Sequence, residues 1–308
     1  MPDKLCIGTR RSALALVQAN WVKKCLEEKY PGINISLAEI ITKGDRIKDV
    51  PLGKIGGKGL FIKEIEEALI KKEIDMAVHS LKDVPTILLP SLKLAAYTPR
   101  ENPFDALISK NNLMLEELPE GAKIGTSSLR RGAQILNFRP DFKIIPLRGN
   151  LDTRIKKLQT EALDGIIVAA AGVIRMGWAD KICQYISPEI ILPAIGQGSL
   201  GIEIREEDQK LHELLNFLNH RDTFFAVTGE RSFLKKLQGG CQVPVASYGQ
   251  LRNGNLLLKG MVASLDGRTV YRSEKVGLPE EAENMGSELG EILLEMGGKQ
   301  ILGDIEQF

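Results

Sequence analysis

Residues 187–204 read SPEIILPAIGQGSLGIEI, and the placement of this run decides the fold. It is an extended run with glycines, and it carries the chain back from a second αβ domain to the first. Before it, short apolar strands alternate with helical patterns, the signature of an α/β fold with a mainly parallel sheet. Lys4 to Gly8 reads as the first strand. Ser12 caps a helix whose Leu14, Val17, Trp21 and Cys25 fall on one face, which places Cys25 in the core, as Cys6 is within its strand. Residues 33–41 alternate as a second strand, the glycine-rich LGKIGGKGLF (52–61) leads into a helix over 62–72, and 75–79 forms a third strand. A second series starts near Phe104, with strands near 123–125, 143–147 and 165–169, each followed by a helix. After about Asn216 the pattern changes to a helix over 222–237, strands near 245–250, 255–264 and 269–276, and a helix over 279–296. The turn signals Asn253-Gly254 and Asp266-Gly267 predict antiparallel hairpins there. The expected division is a discontinuous first domain (1–98 with 195–216), a second (99–194) and a small α+β third (217–308).

With 308 residues, 43% hydrophobic and 26% charged, the chain is ordinary globular material, long enough for two or three domains. It holds no run of about 18 apolar residues and no basic-then-apolar N-terminal segment, so a cytoplasmic protein is expected, with neither membrane nor nucleic acid as partner. The four cysteines, 6, 25, 183 and 241, lack metal-ligand spacing, which argues against a zinc site and a disulfide framework. The net charge of +1 hides an uneven arrangement: arginine is absent from 47 to 99 but occurs six times from Arg130 to Arg175. Arginine grips carboxylate or phosphate through a planar fork, so such a cluster suggests an anionic ligand, although taken alone a charge cluster is more often a solvated, salt-bridged surface.

Open α/β sheets bind ligands where their strands end, and four polar stretches lie there: GTRRS (8–12), HSLKDVPT (79–86), GTSSLRRG (125–132) and LRGNLDTR (147–154). In GTSSLRRG the hydroxyl residues cap a helix while Arg130 and Arg131 stand in its first turns, where the helix dipole prefers acids. A compensating anion is the inference; a plain Ser/Thr cap with solvated arginines fits as well. Asp83, ahead of Val84-Pro85, is placed in a turn facing the interdomain cleft or serves as a local cap. His79 reads as a satisfied strand-end histidine. No GxxxxGK[ST] or GxGxxG pattern supports nucleotide binding. Cys241, on the glycine shoulder GGCQVP, reads by itself as a small buried residue.

Taken in order, GTRRSALAL, TKGD, GGKGLFIKEIE, AVHSLKDVPT, GTSSLRR, LRGNLDTR, LPAIGQG and GGCQVPVASYG make the sequence similar to the porphobilinogen deaminases, also called hydroxymethylbilane synthases. The resemblance implies two periplasmic-binding-protein-like lobes joined by hinge strands, plus a small α+β third domain. It implies a transferase that joins four porphobilinogen molecules head to tail on a dipyrromethane cofactor, releasing ammonia and then, by hydrolysis, hydroxymethylbilane for tetrapyrrole (heme) biosynthesis. A monomer is expected. Cys241 falls on the cysteine that carries the dipyrromethane as a thioether, a bond suited to a nucleophilic thiolate. Asp83 falls on the catalytic aspartate, a carboxylate able to stabilise positive charge developing on pyrrole nitrogen.

Every pyrrole carries an acetate and a propionate, which gives the arginines a partner. By the same resemblance, Arg130, Arg131, Arg148, Arg154, Ser80, Lys82, Thr126, Ser127 and Ser128 contact the cofactor together with Asp83. Arg10, Ser12, Arg148, Arg154, Arg175 and Lys58, the last in the loop over the site, contact the substrate. Two other classes remain open on the residues alone. An anion receptor leaves Cys241 without a role, and a cysteine acyl-transferase needs a base that His79, His212 and His220 do not obviously supply.

Overall fold

The structure is a computed structural model and describes residues 4–46, 62–238 and 243–306. The chain divides into two compact units, residues 1–101 with 199–224, and residues 102–198 with 225–308.

In the first unit, β1 (Lys4–Arg10), helix α1 (Ala13–Lys29), β2 (Asn34–Ile40), the helical turn α2 (Lys43–Arg46), helix α3 (Lys63–Ile70), β3 (Met76–Ser80) and β4 (Leu92–Tyr97) come from the first stretch of chain. The strand order is β2-β1-β3-β10-β4, and β10 (Leu200–Arg205) belongs to the returning segment. β1 runs parallel to β2 and β3, whereas β10 is antiparallel to both β3 and β4. The sheet is therefore mixed, not mainly parallel: a strand that re-enters from another part of the chain needs no helical crossover and can pair in either sense. Leu200, Ile202 and Ile204 of that strand share a core with Leu5, Ile7, Val22 and Leu26.

Ser12 caps α1 as expected, its hydroxyl accepting from the amide of Ala15 at 3.3 Å. The buried face differs from the expected one. It carries Gln18, Ala19, Val22 and Leu26, while Val17 and Trp21 are exposed and Cys25 is half-buried at the rim of the core. The helix is apolar on several sides, so hydrophobicity alone leaves its phase open; Gln18 turns inward because its amide meets Ser80.

The second unit repeats the plan. Its first sheet has the order β7-β6-β8-β5-β9, with β6 (Lys123–Gly125) parallel to β7 (Lys143–Ile145) and β8 (Gly165–Ala169). β5 (Asp105–Ser109) is antiparallel to β8 and to the short β9 (Gln184–Tyr185). Helices α4 (Leu129–Phe138), α5 (Leu151–Thr160) and α6 (Ala170–Arg175) follow β6, β7 and β8. In both sheets the antiparallel strand adjoins a point where the chain passes from one unit to the other, 101/102 for β5 and 198/199 for β10.

After α7 (Gln209–Leu215) and α8 (Arg221–Lys236), strands β11 (Val245–Arg252), β12 (Asn255–Ala263) and β13 (Val270–Gly277) form an antiparallel sheet in the order β11-β12-β13. Asn253 and Gly254 take positive φ (50° and 82°), the two-residue turn that matches strand twist. The expected final helix is instead a 3-10 turn at Pro279–Glu281, α9 (Ala282–Leu293), and α10 (Lys299–Glu306) beyond a kink at Gly297, whose φ is 120°. A core of Ala133, Leu192, Ala246, Met261 and Ala263 joins α4 to this sheet, so residues 225–308 and 102–198 share one unit.

Candidate active site

In the first unit the parallel pairing of β1 with β3 brings their C-terminal ends, and the polar stretches after them, to one edge. Arg10 ends β1 and pairs with Asp45 of the TKGD stretch, Nη2 to Oδ1 at 2.5 Å. Asp45 also accepts from the amide (3.2 Å) and hydroxyl (2.8 Å) of Thr42. Burial alone would raise its pKa; the bonds from Arg10 and Thr42 overcome that and hold the carboxyl below its ordinary value. Ser80 ends β3 and exchanges hydrogen bonds with Gln18, at 2.9 Å as acceptor and 3.1 Å as donor. The chain then turns through Leu81–Asp83, a 3-10 turn closed by Val84 N–H donating to Leu81 C=O at 3.1 Å. Buried Leu81 roots the turn, its amide donating to Ser199 C=O at 3.0 Å; Lys82 is half-buried and Asp83 is exposed. The exposed carboxylate thus stands on a rooted turn at the end of β3.

Below that edge His79 is buried, with Nε2 at 2.9 Å from Glu203 Oε2, the satisfied strand-end histidine expected. The other oxygen of Glu203 is buried without a partner among the described residues. Buried Glu66 of α3 adds a second carboxyl whose pKa is raised by burial and by the charge of Glu203.

In the second unit, the ends of parallel β6, β7 and β8 likewise share one edge. Thr126 is buried and accepts from Ser128 N–H at 3.2 Å; Ser127 donates to Leu147 C=O at 2.9 Å; Ser128 caps α4, accepting a long 3.5 Å bond from Arg131 N–H. Arg130 and Arg131 are not the solvated pair of the bland alternative. Both are buried and bonded to Asp105, which opens β5: Arg130 Nη1 to Oδ2 at 2.7 Å, and Arg131 Nε and Nη2 to Oδ1 at 2.9 and 2.7 Å. The anion that their position at the helix start calls for is thus supplied in part by the protein. Burial would raise the Asp105 pKa, but the two guanidiniums win and hold it well below the carboxylate range.

Arg148 follows β7 in a loop with Gly149 at φ 111°; it is half-buried and, among the described residues, makes no hydrogen bond or ion pair. Arg154, on α5, donates from Nε to Gly149 C=O at 2.8 Å and so braces that loop. Arg175 ends α6 and donates from Nη2 to Gly198 C=O at 2.6 Å in the LPAIGQG stretch. The same stretch is tied down by Gly196 N–H to Glu230 Oε2 at 2.6 Å, and by Gln197, whose Nε2 donates to Pro103 C=O (2.7 Å) and Asp105 Oδ1 (3.1 Å).

The predicted residues therefore gather into two edges: Arg10, Ser12, Ser80, Lys82 and Asp83 in the first unit, and Thr126 to Arg131, Arg148, Arg154 and Arg175 in the second. Lys58, its loop and Cys241 lie outside the described residues. Sequence reading missed Gln18, Asp105, Gln197 and Glu203. A polar residue within an otherwise apolar run, as in DALIS and GIEI, was the available signal for Asp105 and Glu203. The donor set suits a multiply carboxylated pyrrole: it offers guanidiniums and hydroxyls, with Arg148 uncommitted among the described residues.

The family model described as "Porphobilinogen deaminase, dipyromethane cofactor binding domain" matches residues 5–213, and the one described as "Porphobilinogen deaminase, C-terminal domain" matches 224–295. The porphobilinogen deaminase of Carboxydothermus hydrogenoformans is 52% identical over 307 residues, covering 100% of this chain and 99% of that protein. That of Pelobacter propionicus is 51% identical over 306 residues, covering 99% and 98%. Among solved structures, the methionine binding protein MetQ gives a TM-score of 0.43 at 15% identity over 71% of this chain and 89% of that one. The periplasmic aliphatic sulphonate binding protein SsuA from Escherichia coli gives 0.40 at 14% identity, over 77% and 71%. With one of its family models spanning more than half the chain and relatives half identical from end to end, the chain belongs to the porphobilinogen deaminase family.

Proposed function

We propose that this chain joins four porphobilinogen molecules head to tail, with loss of ammonia at each addition, and releases the product hydroxymethylbilane by hydrolysis. Full-length identity to porphobilinogen deaminases, together with the match to their dipyrromethane-binding domain, is the observation that carries this reading. The cofactor is a dipyrromethane attached through the Cys241 sulfur; when bound, it supplies the terminal α-carbon to which the first substrate is joined.

The residues of the chain bind, orient and neutralise. Arg148, Arg154 and the Arg130/Arg131 pair receive acetate and propionate groups of the cofactor, with Thr126, Ser127 and Ser128 as hydroxyl partners. Arg10, Ser12, Arg175 and Lys58, with Arg148 and Arg154, receive those of the substrate. Asp83, flanked by Lys82 and Ser80, accepts hydrogen bonds from pyrrole N–H groups and stabilises the positive charge that develops as the aminomethyl group leaves. A fixed carboxylate suits this task because its turn is rooted by Leu81 and needs no rearrangement when charge appears. The chain acts as a cytoplasmic monomer in three functional domains, 1–98 with 195–216, 99–194 and 217–308, the third carrying Cys241.

The intact mass of the purified protein, beside that of Cys241→Ser from the same host, tests the reading. The wild type is expected to exceed its sequence mass by two linked pyrrole units and the variant to lack them. A wild type of plain sequence mass that also gains nothing from porphobilinogen overturns the proposal and favours a two-lobed anion receptor.

A further inference from the structure

Asp105 is 0% exposed and serves two guanidiniums unequally. Arg131 spends the whole Nε/Nη2 edge of its fork on Asp105 Oδ1 and gives Nη1 to Ile167 C=O at 3.1 Å. Arg130 uses Nη1 for both Asp105 Oδ2 and Leu192 C=O, each at 2.7 Å, so that its Nε/Nη2 edge carries no hydrogen bond among the described residues. Gln197 adds a third donor to Oδ1 at 3.1 Å. Two cations against one anion leave the triad with a single net positive charge. Stability alone is a weak reason for such an arrangement, since well-packed apolar residues commonly replace buried ion clusters without loss. Gripping a carboxylate takes two parallel N–H bonds from one edge of a guanidinium; Arg130 keeps its Nε/Nη2 edge for that, whereas the same edge of Arg131 is taken by Asp105.

We propose that Asp105 is the positioning residue of this arginine pair, fixing Arg131 as scaffold and holding Arg130 as the member that grips a carboxylate of the dipyrromethane or the growing chain. The inference rests on the reading of the pair as carboxylate-binding and narrows it, giving the grip to Arg130. Asp105 itself touches no ligand; it sets where the Arg130 fork points and cancels one of two charges that would otherwise repel.

The test uses full-length wild type and Asp105→Ala, both produced without porphobilinogen. Each is kept at a temperature where near-ultraviolet circular dichroism shows the native state, and the mass gained after porphobilinogen is added is followed in time. The folded variant is expected to load about 10-fold or more slowly, the usual size of a lost supporting partner. Formate, a carboxylate small enough for the space left by the side chain, is expected to restore part of that rate where chloride at equal ionic strength does not. A folded variant that loads at the wild-type rate overturns the proposal, as does formate that raises the melting temperature without changing loading. Should Asp105→Ala fail to fold, Arg130→Lys and Arg131→Lys decide by rank: the first is expected to lose more loading rate, the second more melting temperature, and the opposite order overturns the assignment. A wild type that gains no mass sinks this proposal together with the proposed function; normal loading of both proteins sinks this one alone.

Discussion

Two guanidiniums against the buried Asp105 carboxyl hold its pKa down, and that fixes the sign of its contribution to stability. Because the folded pKa of Asp105 lies below its unfolded value, its stabilisation is complete above the ordinary carboxylate range and is lost as pH falls below it. Urea midpoints measured from neutral pH downward should show Asp105→Asn destabilised by about 3–5 kcal/mol at neutral pH, the cost of stranding buried charge, with a flatter acid limb than wild type. Glu66 has the opposite sign: its pKa is raised, so its ionisation costs stability as pH climbs through the folded value. Glu66→Gln removes a like charge near Glu203, whose Oε1 lacks a partner among the described residues, and should raise the neutral-pH urea midpoint by the worth of about 1 kcal/mol. At the proposed site, Asp83→Ala should reduce ammonia release by orders of magnitude with the melting temperature unchanged, since the side chain is exposed and leaves no cavity. Arg148→Leu should slow priming or elongation by removing a carboxylate-binding charge, again with the melting temperature little changed, since Arg148 has no hydrogen bond or ion pair among the described residues to lose. At this scale the polar stretches that the sequence places at strand ends do lie at the C-terminal ends of β1, β3, β6 and β7, because strand-end loops carry their polar groups. The sequence did not show Asp105 or Gln18, whose roles depend on partners 26 and 62 positions away.

Elements were legible where local chemistry decides them. Ser12 and Ser128 cap helices, and Asn253-Gly254 turns a hairpin, because each acts on backbone within a few residues. The phase of α1 was not legible, since its inward face is chosen by a sheet assembled from distant strands. Nor was β5 legible, five residues long and hidden behind a polar start. The contact of α8 with α9 depends on glycine in a way spacing does not reveal: a Cβ on Gly286 would stand 2.2 Å from Gly229 C=O and 2.9 Å from Phe233 N. Gly286→Ala should therefore cost about 1–3 kcal/mol by forcing the helices apart, read as a lower denaturation midpoint.

On the scale of the whole molecule, the run 187–204 led to the expectation of a discontinuous first lobe; the first compact unit comprises residues 1–101 and 199–224. The sense of the returning strand was not readable, since alternation is the same for parallel and antiparallel pairing. A fragment of residues 1–101 lacks β10, which separates β3 from β4 and carries Leu200, Ile202 and Ile204 into the core. It should show no cooperative unfolding transition by circular dichroism, whereas 1–101 joined by a short linker to 199–224 should recover one.

The position of β10 also sets a timetable for synthesis. When Tyr97 leaves the ribosome, four of the five strands of its sheet exist, but the space between β3 and β4 stays empty until Arg205 has been added. At roughly 5–20 residues per second that interval lasts about 5–20 s. Meanwhile β5 to β9 emerge in one continuous stretch and can close their own sheet. The lobe encoded first is thus finished after the sheet encoded second, and during the wait its open strand edges are what a nascent-chain chaperone would have to cover.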